Sequence, residues 1–285
     1  MSKVRIVVDS TADMPLEERE QFGITMIPLK IHFGEDTLLD AVTMSTEQFY
    51  ERLIQSPVLP TTSQPSPIEF TQVYEQILKE DPGAAIISIH LAAVLSGTYQ
   101  SATIAQSMLE DEADITVIDS KSASYGIGLQ VIRAAEMARD GHSKEDILAE
   151  IQRLQDGLQL YFLVDTLEYL QKGGRIGKAA ALFGSLLNIK PILTLDESGQ
   201  VMPKEKVRGS KKAMARIVEL LKEEFGSDSV HLILAFTKNK EAAVMELGER
   251  MKQELNVKKI SYTTVGAVIG THTGPGTSAV FMYRV

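Results

Sequence analysis

Three short segments, far apart in the chain, combine hydroxyl side chains with a glycine or a proline. They are Thr61-Thr62-Ser63-Gln64-Pro65, Ser96-Gly97-Thr98 and Thr271-His272-Thr273-Gly274. None contains a carboxylate or a cysteine, so their side chains offer neutral hydrogen bonds rather than metal ligands. If folding brings the segments together, we expect a polar cup that suits a carboxylate or a phosphate group. The segments therefore favour a ligand-binding protein.

The composition excludes several kinds of chemistry. The chain has 285 residues, 44% of them hydrophobic, and its formal charge of −9 argues against binding nucleic acid. It has no cysteine, which excludes disulfides, thiolate catalysis and cysteine-ligated metals. The densest basic cluster is typical of a solvated turn and helix start. Its members are Lys204, Lys206, Arg208, Lys211 and Lys212.

The N-terminal segment and the hydropathy pattern bear on cellular location. Residues 1–9 are too short and too polar a stretch for a signal peptide. No uninterrupted apolar run reaches the length of a membrane span. We therefore expect a cytoplasmic protein without stable membrane insertion.

Apolar segments in the first half of the chain alternate with helical patterns. Buried strands are predicted at residues 4–8, 84–89 and 115–118. The alternation predicts an α/β fold in which a mainly parallel sheet has helices on both faces, a three-layer domain over residues 1–158. Ligands of such sheets bind beyond the carboxyl ends of the strands. Three hydroxyl residues follow these strand ends: Ser10, Ser96 and Ser120.

The second half of the chain has a different order and spacing of predicted strands and helices. Strands are predicted at residues 160–164, 191–195, 230–236, 259–264 and 279–283, and helices at 179–187, 210–224 and 240–255. A hairpin is predicted around Glu197-Ser198-Gly199. The pattern indicates a second α/β domain with a mixed sheet over residues 159–285.

Five motifs, in order along the chain, resemble those of the DegV family. They are Asp9-Ser10-Thr11-Ala12-Asp13, Thr62-Ser63-Gln64-Pro65-Ser66, Leu95-Ser96-Gly97-Thr98-Tyr99-Gln100-Ser101-Ala102, Lys172-Gly173-Gly174-Arg175-Ile176 and Gly270-Thr271-His272-Thr273-Gly274-Pro275-Gly276. Members of that family are fatty-acid-binding proteins, and several are the acyl-carrying subunits of bacterial fatty-acid kinase. The resemblance implies two α/β domains with a long-chain fatty acid between them, and no other cofactor.

The resemblance also implies a role for individual residues. Thr62, Ser96 and His272 would hydrogen-bond the fatty-acid carboxylate, and Arg175 would help an ATP-dependent kinase partner engage. The partner would then convert the carboxylate to an acyl-phosphate. Residues expected near the carboxylate are Ser63, Gly97 and Thr273. One departure is His90-Leu91-Ala92-Ala93, which stands where many members have serines and makes that loop less polar.

An apolar tunnel for the acyl chain is harder to assign from the sequence. An apolar stretch around Gly184 and three phenylalanines are candidates for its wall, but such residues more often form ordinary core. They are Leu182, Phe183, Leu186, Leu187, Ile189, Phe33, Phe162 and Phe281.

Each proposed ligand-binding residue also has an ordinary structural role open to it. Thr62 can cap a loop, and Ser96 can cap the helix that begins near Thr98. An isolated histidine such as His272 often has a structural partner, and Arg175 can cap the preceding helix. Ser96 can also do both, by directing helix N–H groups at an anion.

Other functions are open as alternatives. A serine hydrolase acting on acyl esters would need Ser96, His272 and Asp9 to meet, although Ser96 lacks the Gly-x-Ser-x-Gly context. The chain also lacks the glycine-rich phosphate-binding motifs of nucleotide-binding proteins. Its scattered histidines disfavour a metal site, and nothing resembles a DNA-reading helix.

Overall fold

The computed structural model describes residues 3–109, 113–183 and 189–285, which form a mixed α/β fold. Contacts along the chain divide it into two compact units. The first comprises Met1–Ser45 and Pro60–Asp156, and the second Thr46–Leu59 and Gly157–Val285. Each unit has its own hydrophobic core.

The elements are numbered along the chain. The strands of the first unit are β1 (Val4–Asp9), β2 (Thr25–Ile27), β3 (Lys30–Phe33), β4 (Asp36–Leu39), β5 (Thr61–Ser63), β6 (Ala85–His90) and β7 (Ile115–Asp119). The helices over the same stretch are α1 (Leu16–Phe22), α2 (Thr46–Gln55), α3 (Pro67–Glu80), α4 (Thr98–Met108), α5 (Tyr125–Arg139) and α6 (Lys144–Gly157). Of these, α2 belongs to the second unit.

The first unit is built on a parallel sheet with the strand order β2-β1-β6-β7. Every residue of β6 is buried, which indicates that both faces of the sheet are covered. Phe70 and Tyr74 of α3 and Ala102 of α4 pack with Val7 and Ile86, while α5 packs on β1 and β6. The predicted parallel sheet with helices around it is confirmed.

A smaller antiparallel sheet has the order β4-β3-β5. In β3, Ile31 and Phe33 are buried and alternate with the half-buried Lys30 and His32. Such alternation is typical of a strand with one face buried and the other partly exposed. The sheet matters for function because β5 carries Thr62, which pairs with Ile31.

The second unit contains a six-stranded mixed sheet. Its strands are β8 (Gln159–Leu163), β9 (Ile189–Leu195), β10 (Val201–Arg208), β11 (Val230–Phe236), β12 (Val257–Thr264) and β13 (Ser278–Arg284), in the order β10-β9-β8-β13-β11-β12. Only the β11–β12 pair is parallel among the pairs described. The helices that follow α6 are α7 (Glu168–Lys172), α8 (Ser210–Phe225), α9 (Glu241–Glu254) and α10 (Ala267–Thr273). The predicted mixed sheet and the β9–β10 hairpin are confirmed.

The structure differs from the predicted helix at residues 179–187. Residues Gly177–Leu182 form a 3₁₀ helix, and Phe183 after it is extended. Residues 184–188 lie outside the described part of the chain. Residues 179–182 therefore belong to a 3₁₀ helix rather than to the predicted α-helix. Phe183 cannot continue any helix, because its dihedral angles lie in the β region.

Helix α2 precedes β5 in the chain, yet it packs in the second unit. The Tyr50 hydroxyl donates to the carbonyl oxygen of Val265 at 3.0 Å. A side chain at Gly270 of α10 would collide with Tyr50 and come within 3.0 Å of Phe49. The second unit therefore includes residues 46–59 in addition to those after 156. The two domains expected from the sequence, 1–158 and 159–285, do not include this exchange of a segment.

Across the described ranges, no helix is long and apolar enough to cross a membrane.

Candidate functional site

Thr62 and Ser63 lie on β5, at the edge of the small antiparallel sheet. The Ser63 hydroxyl is 2.8 Å from Nε2 of His32, whose Nδ1 is 3.0 Å from the Thr37 hydroxyl. Directly after Pro65, a capping box opens α3, in which Ser66 and Glu69 satisfy each other's backbone N–H groups. The strand pairing on one side and the helix cap on the other fix the Thr62–Ser63 segment.

Ser96 lies in the loop between β6 and α4. Its Oγ accepts a hydrogen bond from the Thr98 backbone N–H at 3.3 Å and is 2.9 Å from the Thr98 hydroxyl. The N-cap of α4 is Gly97, and no side chain caps the helix from that position. Ser96 thus takes part of the capping role expected from the sequence, while its hydroxyl remains half-buried beside the helix start.

The two hydroxyl-bearing segments of the first unit meet at Gly97. A Cβ atom at Gly97 would be 2.9 Å from Nε2 of Gln64, closer than real Cβ atoms approach other atoms. The Gln64 side chain therefore lies directly against the Gly97 backbone, next to Ser96. The structure brings the Thr62 loop and the Ser96 loop together, and a glycine at 97 allows it.

His272 lies on the last turn of α10, in the second unit. The flanking hydroxyls of Thr271 and Thr273 donate to carbonyl oxygens four residues earlier in the helix, at 2.9 Å and 3.1 Å. Burial, and secondarily the nearby Arg175 guanidinium, lowers the pKa of His272 to about 4. The imidazole is therefore neutral at pH 7, with one ring N–H to donate.

Arg175 follows α7 and lies close to the histidine. Its Nη1 donates to the carbonyl oxygen of Gly173 at 2.7 Å, and its backbone N–H donates to Leu170 at 2.9 Å. Gly173 packs directly on the His272 ring, where any Cβ atom would collide with Nδ1. The structure thus brings the Lys172-Gly173-Gly174-Arg175 motif against the motif that carries His272.

The end of α10 is packed just as tightly. Gly274 has a φ of 82°, a conformation that favours glycine, and a side chain there would collide with the Tyr169 ring. Gly276 leaves equally little room beside Asp165. The glycines of this motif are therefore needed for close packing around His272.

The histidine that hydrogen-bonds Asp9 is His90, whereas the serine hydrolase alternative requires His272. Its buried carboxylate accepts hydrogen bonds from Thr11, His90 and Leu91. These partners fill the acceptor positions of both oxygens, so the structure does not support Asp9 as the acid of a triad with His272. Sequence reasoning missed His90, although Ser88 and His90 two residues apart on a buried strand share one face.

The candidate tunnel residues divide by exposure. Phe33, Phe162, Phe281 and Leu182 are buried, whereas Phe183 is 50% exposed. Leu186 and Leu187 lie outside the described residues, as does the side chain of Ile189. Among the residues described, no group of three or more histidine and carboxylate side chains could hold a metal ion.

Comparison with known proteins decides the family. The family model described as "Uncharacterised protein, DegV family" matches residues 3–285. The chain belongs to the DegV family. Protein DegV from Bacillus subtilis is 39% identical to it over 274 residues, which cover 96% of each chain.

Solved structures of DegV proteins share the whole fold. A DegV family protein from Thermus thermophilus, described as fatty acid binding, aligns with a TM-score of 0.92 and 36% identity, over 99% of this chain and 100% of that one. A stearic acid-binding protein from Eubacterium ventriosum aligns with a TM-score of 0.89 and 29% identity, over 100% of this chain and 98% of that one. Both relatives are described as binding a fatty acid, and neither is described as an enzyme.

Proposed function

We propose that this protein binds a long-chain fatty acid, holding its carboxylate with Thr62, Ser96 and His272 and its acyl chain in an apolar tunnel. The end-to-end match to a fatty-acid-binding DegV protein carries this proposal. The local geometry supports it, because the Thr62 and Ser96 loops meet in one unit and His272 lies beside Arg175 in the other. Ser63, Gly97 and Thr273 flank these residues in the chain.

The energetics assign different tasks to the two ends of the ligand. Each buried methylene contributes about 0.8 kcal/mol, so the fourteen methylenes of a C16 acid supply roughly 11 kcal/mol before association costs. A hydrogen bond to the charged carboxylate contributes about 1.5–3 kcal/mol. The acyl chain therefore sets most of the affinity, whereas the hydroxyls and the imidazole set the orientation of the carboxylate.

A neutral His272 is suited to orienting the carboxylate of the fatty acid. With a pKa of about 4, the imidazole can donate one N–H to a carboxylate without adding a second buried charge. The proposed head-group site thus consists of neutral donors, and the nearby Arg175 is left to engage the kinase partner.

The proposal extends to a kinase partner. A carboxylate oxygen of the bound fatty acid would form a bond to the γ-phosphorus of ATP, ADP would leave, and the product would be an acyl-phosphate for phospholipid synthesis. This chain would carry and present the substrate, and a separate ATP-dependent subunit would transfer the phosphoryl group. Such a role places the protein in the bacterial cytoplasm, where ATP is available.

Substitutions of the two hydroxyls test the carboxylate site. We expect Ser96→Ala and Thr62→Ala each to lower palmitate affinity about tenfold or more, because each removes a hydrogen bond to a charged group. Isothermal titration calorimetry measures the affinity, and Ser107→Ala, an exposed serine of α4, is the control. Unchanged palmitate binding and unchanged acyl-phosphate formation in both variants would remove their assigned role.

Gly173→Ala tests whether the position of His272 matters. Gly173 has a φ of −75°, which alanine tolerates, so the requirement for glycine comes from the space beside the ring and, less strongly, from the Tyr169 carbonyl oxygen, 3.0 Å from an added Cβ atom. We expect the displaced imidazole to lower palmitate affinity about tenfold, since overpacking costs about 1–3 kcal/mol. Gly174→Ala is the control, because its φ of 72° adds backbone strain but no side chain lies within 4 Å. Equal affinities in the two variants would contradict the prediction.

Arg175→Ala separates binding from turnover. We expect palmitate affinity to stay within about threefold and acyl-phosphate formation by the kinase to fall about 100-fold or more, as for other charge-stabilising groups. Because Arg175 helps to depress the pKa of His272, that pKa should also rise in the variant. Nuclear magnetic resonance titration of the His272 ring measures it. Loss of palmitate binding would show that Arg175 contributes to the carboxylate site itself.

A further inference from the structure

A continuous chain of hydrogen bonds runs through the interior of the first unit. The Tyr74 hydroxyl donates to Ser88 Oγ at 2.8 Å, and Ser88 Oγ is 2.6 Å from Nε2 of His90. Nδ1 of His90 is in turn 3.0 Å from Oδ2 of Asp9. All four side chains are 0% exposed. The order of atoms is that of a Ser-His-Asp triad, but no substrate can reach Ser88.

The directions of these hydrogen bonds follow from the donors available. Tyr74 donates to Ser88, so the single Ser88 proton is left to point at Nε2 of His90. Nε2 is then an acceptor, and Nδ1 carries the proton that is donated to Asp9.

Asp9 is held ionised by the groups around it. Burial alone would raise its pKa, but hydrogen bonds from His90, Thr11 and the Leu91 backbone outweigh this effect and keep the pKa below its usual value. The Thr11 N–H and hydroxyl are 3.0 Å and 2.5 Å from Oδ1, and the Leu91 N–H donor is 3.0 Å from Oδ2. A carboxylate with four donors is fixed in orientation as well as in charge.

The loop that carries Ser96 begins at this carboxylate. The Leu91 N–H donates to Asp9, and the next residue, Ala92, donates its N–H to the Ser122 carbonyl oxygen at 3.0 Å. The Ala92 carbonyl oxygen accepts the backbone N–H of Ser96 at 3.3 Å. The position of Ser96 is therefore linked to the ends of β1 and β7 through two consecutive backbone N–H groups.

We propose that Asp9 and His90 are positioning residues for Ser96: their hydrogen bond orients the Asp9 carboxylate, which fixes the start of the loop, and so aligns the Ser96 hydroxyl for the ligand head group. This inference rests on the proposed fatty-acid site and adds two residues that do not touch the ligand. The Tyr74–Ser88 branch of the same hydrogen-bond chain reaches the loop only through His90.

Two substitutions of His90 separate its two hydrogen bonds. The amide of His90→Asn can donate to Asp9 from near the Nδ1 position but leaves the Ser88 hydroxyl without an acceptor. The amide of His90→Gln reaches toward Ser88 but leaves Asp9 without the donor from residue 90. Ser88→Ala is the matched control, because it disturbs the same buried chain of bonds and leaves the His90–Asp9 pair intact.

The experiment measures palmitate affinity by calorimetry and, in ligand-free protein, hydrogen exchange of the backbone amides of residues 91–96. We expect His90→Gln to bind palmitate about tenfold more weakly, and we expect the amides of residues 91–96 to exchange about tenfold faster in this variant. Both changes correspond to the loss of roughly one hydrogen bond. His90→Asn and Ser88→Ala should stay within about threefold of wild type in both measurements, although each lowers the melting temperature.

The outcomes distinguish this inference from the function on which it rests. The changes in affinity and amide exchange could instead be proportional to the decrease in melting temperature across the three variants. In that case Asp9 and His90 do not position Ser96. If His90→Gln behaves like Ser88→Ala, the inference is likewise wrong. A wild-type protein that binds no palmitate contradicts the proposed function, while the exchange measurement still tests the link to the loop.

Discussion

We expect Asp9→Ala to lower the free energy of unfolding by about 3–5 kcal/mol. The substitution leaves the Thr11 N–H, the His90 Nδ1–H and the Leu91 N–H buried without an acceptor. An unsatisfied buried donor costs about 1–3 kcal/mol, and removing one partner from a buried charged network typically costs about 3–5 kcal/mol in total. Since domains are stable by only about 5–15 kcal/mol, the loss is a large fraction of the total.

Urea unfolding at pH 7 measures this loss. Asp156→Ala is the control, because Asp156 is exposed and such changes usually stay within about 0.5 kcal/mol of wild type. The sign of the pH dependence follows from the lowered pKa of Asp9, which its hydrogen-bond donors hold down despite burial. The stabilisation is present above the unfolded-state pKa of about 4 and is lost as the pH falls through the native pKa. A loss below 1 kcal/mol at pH 7 would contradict this account of Asp9.

Asp40→Asn changes how stability depends on pH. Burial raises the pKa of Asp40 to about 6, with smaller opposing effects from Ser10 and other neighbours. Between about pH 4 and pH 6 the native state holds a proton that the unfolded state has released, so Asp40 costs stability as the pH rises. The cost reaches about 3 kcal/mol at pH 7, at about 1.4 kcal/mol per pKa unit. Asparagine does not titrate and removes this slope.

The measurable quantity is the difference in unfolding free energy between Asp40→Asn and wild type. We expect it to shift in favour of the variant by about 2 kcal/mol between pH 4 and pH 7. The contribution of Asp9 is common to both proteins and cancels in the difference. A constant offset from asparagine itself does not affect the slope. A difference that stays flat over this range would show that Asp40 is not a buried carboxyl with a raised pKa.

The central sheets could be predicted because their signals are local. Buried β-branched runs at residues 4–8 and 84–89 predict parallel strands, and Glu197-Ser198-Gly199 marks a hairpin. The membership of α2 could not be predicted in this way. Its periodic pattern identifies a buried face with Phe49 and Leu53, but it does not say which unit that face packs against.

In the candidate site, too, local features could be predicted from the sequence and long-range contacts could not. Hydroxyl-rich loops draw attention to Thr62, Ser96 and His272, because each loop offers several neutral hydrogen-bonding groups within one short segment. The contacts that orient them are long-range: Gly173 on the His272 ring, and His90 on Asp9. A glycine that needs space rather than a positive φ has no local sequence signature. The spacing of Ser88 and His90 indicates a shared face of a buried strand, but it does not identify Asp9 as the partner.

Mass spectrometry of the organic extract from freshly purified protein tests the central claim most directly. The proposed function predicts a long-chain fatty acid in near-stoichiometric amount, and the spectrum would identify its chain length and unsaturation. An empty extract, together with no uptake of offered C14 to C18 acids, would contradict fatty-acid binding. The hydroxyl-bearing loops would then belong to a site for a different small anion.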